Sequence, residues 1–361
     1  MKSKGVVFVG LSGGVDSGVS AALLQKAGYD VTGVFIRITV PGYPCTAGED
    51  RLDAMRVAAH LKIPFLELDL SNEYQKTVFQ TSIEEFRKGN TPNPDTLCNK
   101  EIKFGRFYEF VREHGADFVA TGHYAQIKEN TDSGAPALYA GNDTEKDQSY
   151  FLWMMPKGAL LHTLFPVGGM QKPEVRALAE KFALPNARRK DSQGLCFLGN
   201  IPIKDMLEHE LAPVPGNVLS ENGDVVGEHR GAVLYTLGER HGFTLTVHSP
   251  ETPAYYVIGK NIEKNTITVS CSPYPTGVTK TKISLADTNW LGAAPEGKCL
   301  ARFRYRQTLL PAHISREGEE VVVTLSEPRH IPLGQSLVLY RGTKNGEVCL
   351  GGGVVVRTDF F

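Results

Sequence analysis

The segment Gly10-Leu-Ser-Gly-Gly-Val-Asp-Ser17 follows an apolar run, Gly5-Val-Val-Phe-Val-Gly10, and leads into Ser17 to Lys26, where Val19, Ala22 and Leu23 recur at helical spacing. Strand, glycine-rich turn and helix in that order open a parallel sheet, because a helix crossing back over the sheet lets the next strand run parallel to the first. The glycines let the backbone come close to a bound group, and the unpaired N–H groups at the helix start favour an anion. The Gly-Lys-Ser/Thr ending of a Walker A loop is missing, and Asp16 in its place suits a role near Mg²⁺ or in shaping the loop. The plainer alternative is a tight turn capped by Ser17.

The alternation continues to about residue 200. Gly28 closes the first helix; Val31 to Ile36, Phe65 to Leu68 and Phe118 to Ala120 read as strands. Asp50 to Leu61, Tyr74 to Phe86 and Lys100 to His114 read as helices. This is a doubly wound sheet, with ligands expected at the carboxyl ends of its strands. After Ala212-Pro-Val-Pro-Gly216 helical periodicity nearly vanishes. Short β runs follow at Val225-Val226, Ala254 to Ile258, Thr266 to Ser270, Lys298 to Arg304, Val321 to Leu325, Ser336 to Tyr340 and Gly352 to Arg357. The 361 residues therefore divide into an α/β domain over 1–210, a small β-rich domain over 211–280 and a terminal β-barrel over 281–361.

Hydrophobic residues at 41% and charged residues at 22% exclude disordered and fibrous classes. A net charge of -1 means that any polyanion must meet a local basic patch. The early apolar run is far shorter than the ~20 residues of a membrane helix, so a cytoplasmic protein without membrane contact is expected. Cys45, Cys98, Cys196, Cys271, Cys299 and Cys349 are too sparse for a disulfide scaffold and form no C-x-x-C pair. With no histidine pair at ligand spacing, no metal site is expected.

Two cysteines have chemical settings. Thr91-Pro-Asn-Pro-Asp-Thr-Leu-Cys-Asn-Lys-Glu-Ile-Lys-Phe104 is a proline-stiffened loop running into a helix, which puts Cys98 near a positive helix end with Lys100 and Lys103 nearby. That setting favours the nucleophilic thiolate, and Asp95 is placed to orient a base or shuttle a proton. Equally, Asp95 is an N-cap and Cys98 a small buried hydrophobe. Cys196, within Lys190-Asp-Ser-Gln-Gly-Leu-Cys-Phe-Leu-Gly199, follows Arg188-Arg189-Lys190 and is open to both readings. Arg302, Arg304 and Arg306 alternate with Phe303 and Tyr305, giving a strand with one cationic and one aromatic face, either a nucleic-acid platform or an ordinary wet barrel strand.

Ser12-Gly-Gly-Val-Asp-Ser17 resembles the fingerprint of the ATP pyrophosphatase, or PP-loop, family, whose members cleave ATP to AMP and pyrophosphate while adenylating a substrate oxygen. With Ala120-Thr-Gly-His-Tyr124, Lys146-Asp-Gln-Ser-Tyr-Phe-Leu152, Phe165-Pro-Val-Gly168, Gly227-Glu-His-Arg-Gly231, Arg304-Tyr-Arg-Gln307, Gly334-Gln-Ser336 and Gly346-Glu-Val-Cys-Leu-Gly-Gly-Gly353, nearly the whole chain resembles the bacterial tRNA-specific 2-thiouridylases. The resemblance implies 2-thiouridine formation at the wobble position of tRNA, with Cys98 as nucleophile, Cys196 as persulfide carrier and Asp95 as acid/base. It implies ATP on Gly10, Leu11, Ser12, Gly13, Gly14, Val15, Asp16, Ser17, Ile36 and Gly122, with Mg²⁺ on the pyrophosphate. Asn93, Pro94 and Asp95 meet the target base. His123, Lys146, Asp147, Gln148, Arg304, Tyr305 and Gln335 contact tRNA. A sulfur-relay protein or cysteine desulfurase is the implied donor.

Three features depart from that pattern: Arg37 to Cys45 lacks an acidic stretch, Glu239 stands where glutamine is usual, and the turn after Gly242 diverges. The competing readings are another PP-loop ligase, a tRNA-binding protein without catalysis, and the same tRNA thiolation with Asp95, Cys98 and Cys196 holding an iron–sulfur cluster that has one open iron.

Overall fold

The computed structural model describes residues 3–43, 47–130, 134–190, 202–246, 254–274 and 276–361. Cys45 and Cys196 lie outside them. The first sheet is all parallel, in the order Phe65–Asp69, Asp30–Arg37, Val6–Gly10, Phe118–Ala120, Thr163–Leu164. The chain builds outward from Val6–Gly10 in one direction, then returns to place Phe118–Ala120 on its other side. The strand order thus reverses beside the carboxyl end of Val6–Gly10, where the glycine-rich turn begins, and that crevice is where open α/β sheets take ligands.

The helix after the turn runs Val15–Lys26 and ends as expected, with Gly28 at φ +92 and its N–H donated to the Gln25 carbonyl. Val7, Val9 and Leu11 pack with Ala21, Leu24, Val57 and Ala58 to cover one face of the sheet. Phe8, Val34 and Ile36 join Ile102, Phe104 and Phe107 on the other. The helix expected over residues 100–114 begins earlier, at Pro94. It runs to Glu113 with a widened π segment over Asn99–Arg106, a form common at functional sites.

The second sheet has the order Phe243–Leu245, Val225–His229, Gly216–Leu219, Thr266–Ser270, Tyr256–Asn261. The third closes on itself: Thr281–Trp290 pairs with both Glu320–Leu325 and Gly346–Phe360, and Leu310–Glu317, Gly297–Arg302 and Ser336–Thr343 complete the ring. Ile283, Ala301, Val323, Leu337, Leu339 and Val355 fill its interior. A hairpin from the first part of the chain, Ala125–Glu129 and Pro136–Ala140, extends this sheet through Tyr139 opposite Val348.

The alternating strand expected through Arg302, Arg304 and Arg306 is not there. Gly297–Arg302 ends at Arg302, and the chain turns through Phe303 to Arg306, with Arg306 at φ +63. No helix among the described residues is long and apolar enough to cross a membrane.

Candidate active site

Gly10 to Ser17 is held from three sides. Leu11 N–H donates to Val34 O at 2.8 Å, and Ser17 Oγ donates to Gly14 O at 3.0 Å. Ser17 lies inside the first turn of the helix, and Gly14 is the cap residue, without a side-chain cap. Gly13 sits at φ +78, a conformation costly to any residue with a Cβ, and its carbonyl accepts from Asn186 Nδ2 at 2.7 Å and Arg189 Nη1 at 3.4 Å. Arg189 is itself fixed by Asp50 and by Asp53 at 2.7 Å. Gly122 abuts the helix start, where a Cβ would come 2.7 Å from Ser17 N, so only glycine lets the strand end approach. Ile36, 8% exposed, lines the end of the neighbouring strand.

Asp16 accepts from Tyr124 Oη at 2.8 Å and from Lys172 Nζ at 2.7 and 2.8 Å. Lys172 begins a helix whose capping box pairs Gln171 with Glu174, and its ammonium lies 5.7 Å from the Tyr124 ring centroid. The loop thus has the lysine its sequence lacks, delivered from 156 residues away. Sequence reading missed Lys172, Tyr124, Asn186 and Arg189, none of which adjoins the loop in the chain.

The helix of Cys98 is capped by Asn93, whose Oδ1 accepts from Thr96 N–H at 3.2 Å, with Pro94 at the first helical position. Asp95 is therefore within the first turn and is not the cap. Cys98 is wholly buried. Lys100, expected beside it, is paired with Glu101 at 2.9 Å. Lys103 places its Nζ 3.5 Å from His123 Nε2. Through His123, Gly122 and Ser17 the cysteine helix and the phosphate loop thus meet at one end of the sheet.

His123, read from sequence as a tRNA contact, is 7% exposed, with its ring against Phe104 and Phe165 and its Nδ1 2.7 Å from Thr121 Oγ1. Burial and the Lys103 ammonium hold its pKa well below 6.5. The unfolded chain takes up this proton first as pH falls, so stability present at neutral pH is lost below about 6.5. Between pH 7.5 and 5, wild type is expected to lose up to about 2 kcal/mol more than His123→Asn, measured by urea unfolding.

The remaining expected tRNA residues divide. Asp147 is 2% exposed, and its carboxylate accepts from Gly141 N, Ser149 N, Ser149 Oγ and Arg302 Nη1, so it faces the protein interior. Gln148 Oε1 accepts from Tyr124 N–H at 3.0 Å. Lys146 is half-buried; Arg304 is exposed; Tyr305 lies 4.9 Å from the Phe151 ring; Gln335 Oε1 accepts from Tyr150 Oη at 3.1 Å. The barrel meets the cysteine loop directly, with Thr91 N–H donated to Leu333 O at 2.7 Å.

Among the other cysteines, burial pushes the Cys299 thiol up to about 11 and Cys349 up to about 12, so both stay protonated and unreactive at neutral pH. Among the described residues no group of three His, Cys, Asp or Glu side chains is placed to hold a metal.

Residues 5–200 match the family model described as the tRNA methyl transferase HUP domain, 204–271 the tRNA methyl transferase PRC-barrel domain and 280–355 the aminomethyltransferase beta-barrel domain. The chain is 41% identical to the tRNA-specific 2-thiouridylase MnmA of Enterococcus faecalis, covering 98% of this chain and 96% of that protein. It is 40% identical, with the same coverage, to the protein of that name from Streptococcus sanguinis. A solved 4-thiouridine synthetase–RNA complex with bound ATP is 20% identical, with a TM-score of 0.34 over 58% of this chain and 50% of that one. Identity of this degree over nearly the full length, together with all three domain matches in order, shows that the chain belongs to the tRNA-specific 2-thiouridylase family.

Proposed function

We propose that this protein uses ATP to replace the C2 oxygen of the wobble uridine of tRNA with sulfur, in the cytoplasm. The observation that carries this reading is that the helix bearing Cys98 reaches the phosphate loop at the switch point of the parallel sheet, through Lys103 on His123 and Gly122 against Ser17.

ATP supplies the leaving group: the uridine oxygen takes AMP, pyrophosphate departs, and C2 becomes open to sulfur. The N–H groups of Gly13 to Ser17 and the Lys172 ammonium hold the departing phosphates, and the partly exposed Asp16 carboxylate fits Mg²⁺ carried on them. Asn93, Pro94 and Asp95 receive the base, which must leave its stack for C2 to be reached. Asp95 moves the proton.

Cys196 brings the sulfur as a persulfide, charged by a relay protein or cysteine desulfurase. Sulfur reaches C2 by direct attack of the terminal sulfur, or as hydrosulfide after Cys98 attacks Cys196. In the first route AMP leaves C2 and the Cys98 thiolate then displaces the thiolated base from the Cys196 sulfur. In the second the freed hydrosulfide attacks C2 and expels AMP. Both leave a Cys98–Cys196 disulfide that a two-electron thiol reductant reopens.

The test is nucleoside mass spectrometry of unmodified tRNA incubated with protein, ATP, Mg²⁺ and a persulfide donor, a cysteine desulfurase with free cysteine, under a thiol reductant. Wild type is expected to form 2-thiouridine, with the product lost or sharply reduced in Cys196→Ser. AMP release without a thiolated nucleoside would assign the chain to another PP-loop ligase; tRNA binding without AMP release would make it a binding protein.

A further inference from the structure

Between the barrel and the cysteine helix stands the segment Lys146 to Leu152, whose buried polar groups take no part in the chemistry above. Asp147 and Arg302 form an ion pair at 2.8 Å with side chains 3% and 10% exposed. The Arg302 guanidinium lies 5.2 Å from the Tyr340 ring, and Tyr340 Oη is 3.1 Å from Ser149 Oγ. Tyr150 Oη lies among barrel acceptors, Phe303 O at 2.9 Å, Gln335 Oε1 at 3.1 Å and Ser336 O at 3.2 Å, and also hydrogen-bonds the side chain of Asn93, the cap of the cysteine helix.

Phe151 continues the path in both directions. Its ring packs on Tyr305, and its carbonyl accepts from Asn99 Nδ2 at 3.1 Å, the residue after Cys98. A buried ion pair is weak evidence for stability, since desolvation offsets most of its attraction, but it does fix register. Here every one of these bonds fixes the same short turn.

We propose that Asp147, Arg302 and Tyr150 are positioning residues that make the barrel part of the catalytic centre. They lock the turn whose Phe151 carbonyl holds Asn99, and so hold Cys98 in line. Arg304, Tyr305 and Gln335 stand at the other end of the same connection, so tRNA seated on the barrel sets the cysteine helix through it. The rate test of this inference rests on the thiolation reading; its accessibility test does not.

Tyr150→Phe removes one hydroxyl and keeps the ring. At saturating ATP and tRNA its single-turnover rate of 2-thiouridine formation is expected to fall about tenfold or more, with the melting temperature and tRNA dissociation constant little changed. Asp147→Asn leaves the buried Arg302 guanidinium without its carboxylate, so it is expected to lower both the rate and the melting temperature. Tyr150→Phe is the variant that separates positioning from folding. In the double variant Tyr150→Phe/Asn99→Ala the loss is expected to be well short of the product of the two single losses, because both act through Phe151. Fully multiplicative losses, or a loss accounted for by weaker tRNA binding, would overturn the proposal.

Independently, the reduced full-length protein is treated with iodoacetamide and its peptides weighed. Cys98 is expected to react several-fold faster in Tyr150→Phe than in wild type, with exposed Cys271 as the unchanged internal reference. Equal Cys98 rates sink the inference whatever the activity. Faster Cys98 labelling in a wild-type background that makes no 2-thiouridine would retain the positioning device and reject the function.

Discussion

Cys98→Ser is expected to lower 2-thiouridine formation on the order of 10³-fold or more while AMP release continues, because adenylation needs the phosphate loop and sulfur transfer needs the thiol. Serine at this position buries a hydroxyl where the thiol is wholly covered, which costs about 1–3 kcal/mol if the hydroxyl stays unpaired. Cys98→Ala avoids that cost and separates folding from chemistry: the expected result is equal inactivity with the smaller loss of melting temperature. Quantified thiolated nucleoside beside AMP, from the same reaction, is the measurement. Full activity in either variant would return Cys98 to the role of a small buried hydrophobe and remove the disulfide step.

The second large effect is at Lys172. Lys172→Met is expected to slow AMP release about 10²–10³-fold at saturating tRNA and to raise the ATP concentration needed for half-maximal rate, since a preorganised cation facing the departing phosphates is lost. Asp16 keeps Tyr124 Oη as a donor and is partly exposed, so thermal stability is expected to change little. Lys172→Arg is not expected to rescue: the ammonium contacts both Asp16 oxygens, lies over the Tyr124 ring and is 11% exposed, leaving no room for a planar fork. Normal AMP release in Lys172→Met would make the residue a structural partner of Asp16 alone.

The local sequence already carried the phosphate loop. Strand, glycine turn and helix each depend on neighbours within a few residues, and Gly13 at positive φ and Gly28 as C-cap are requirements of backbone geometry that a local pattern records. Cys98 near a helix start was legible for the same reason, though the cap belongs to Asn93 and the helix begins at Pro94. The Arg302 to Arg306 alternation misled because side-chain pattern does not reveal where a strand leaves its sheet; Arg306 adopts a left-handed turn and Arg302 is buried against Asp147.

What the sequence by itself determined, then, was the set of reactive groups and the order of the domains, because motifs and periodicity are short-range. Only the tertiary structure decided that Lys172 completes the loop around Asp16, that His123 and Asp147 face inward, and that the barrel reaches the cysteine helix through Tyr150. Burial and pairing depend on groups more than a hundred residues apart, which meet only when the sheet and the barrel close.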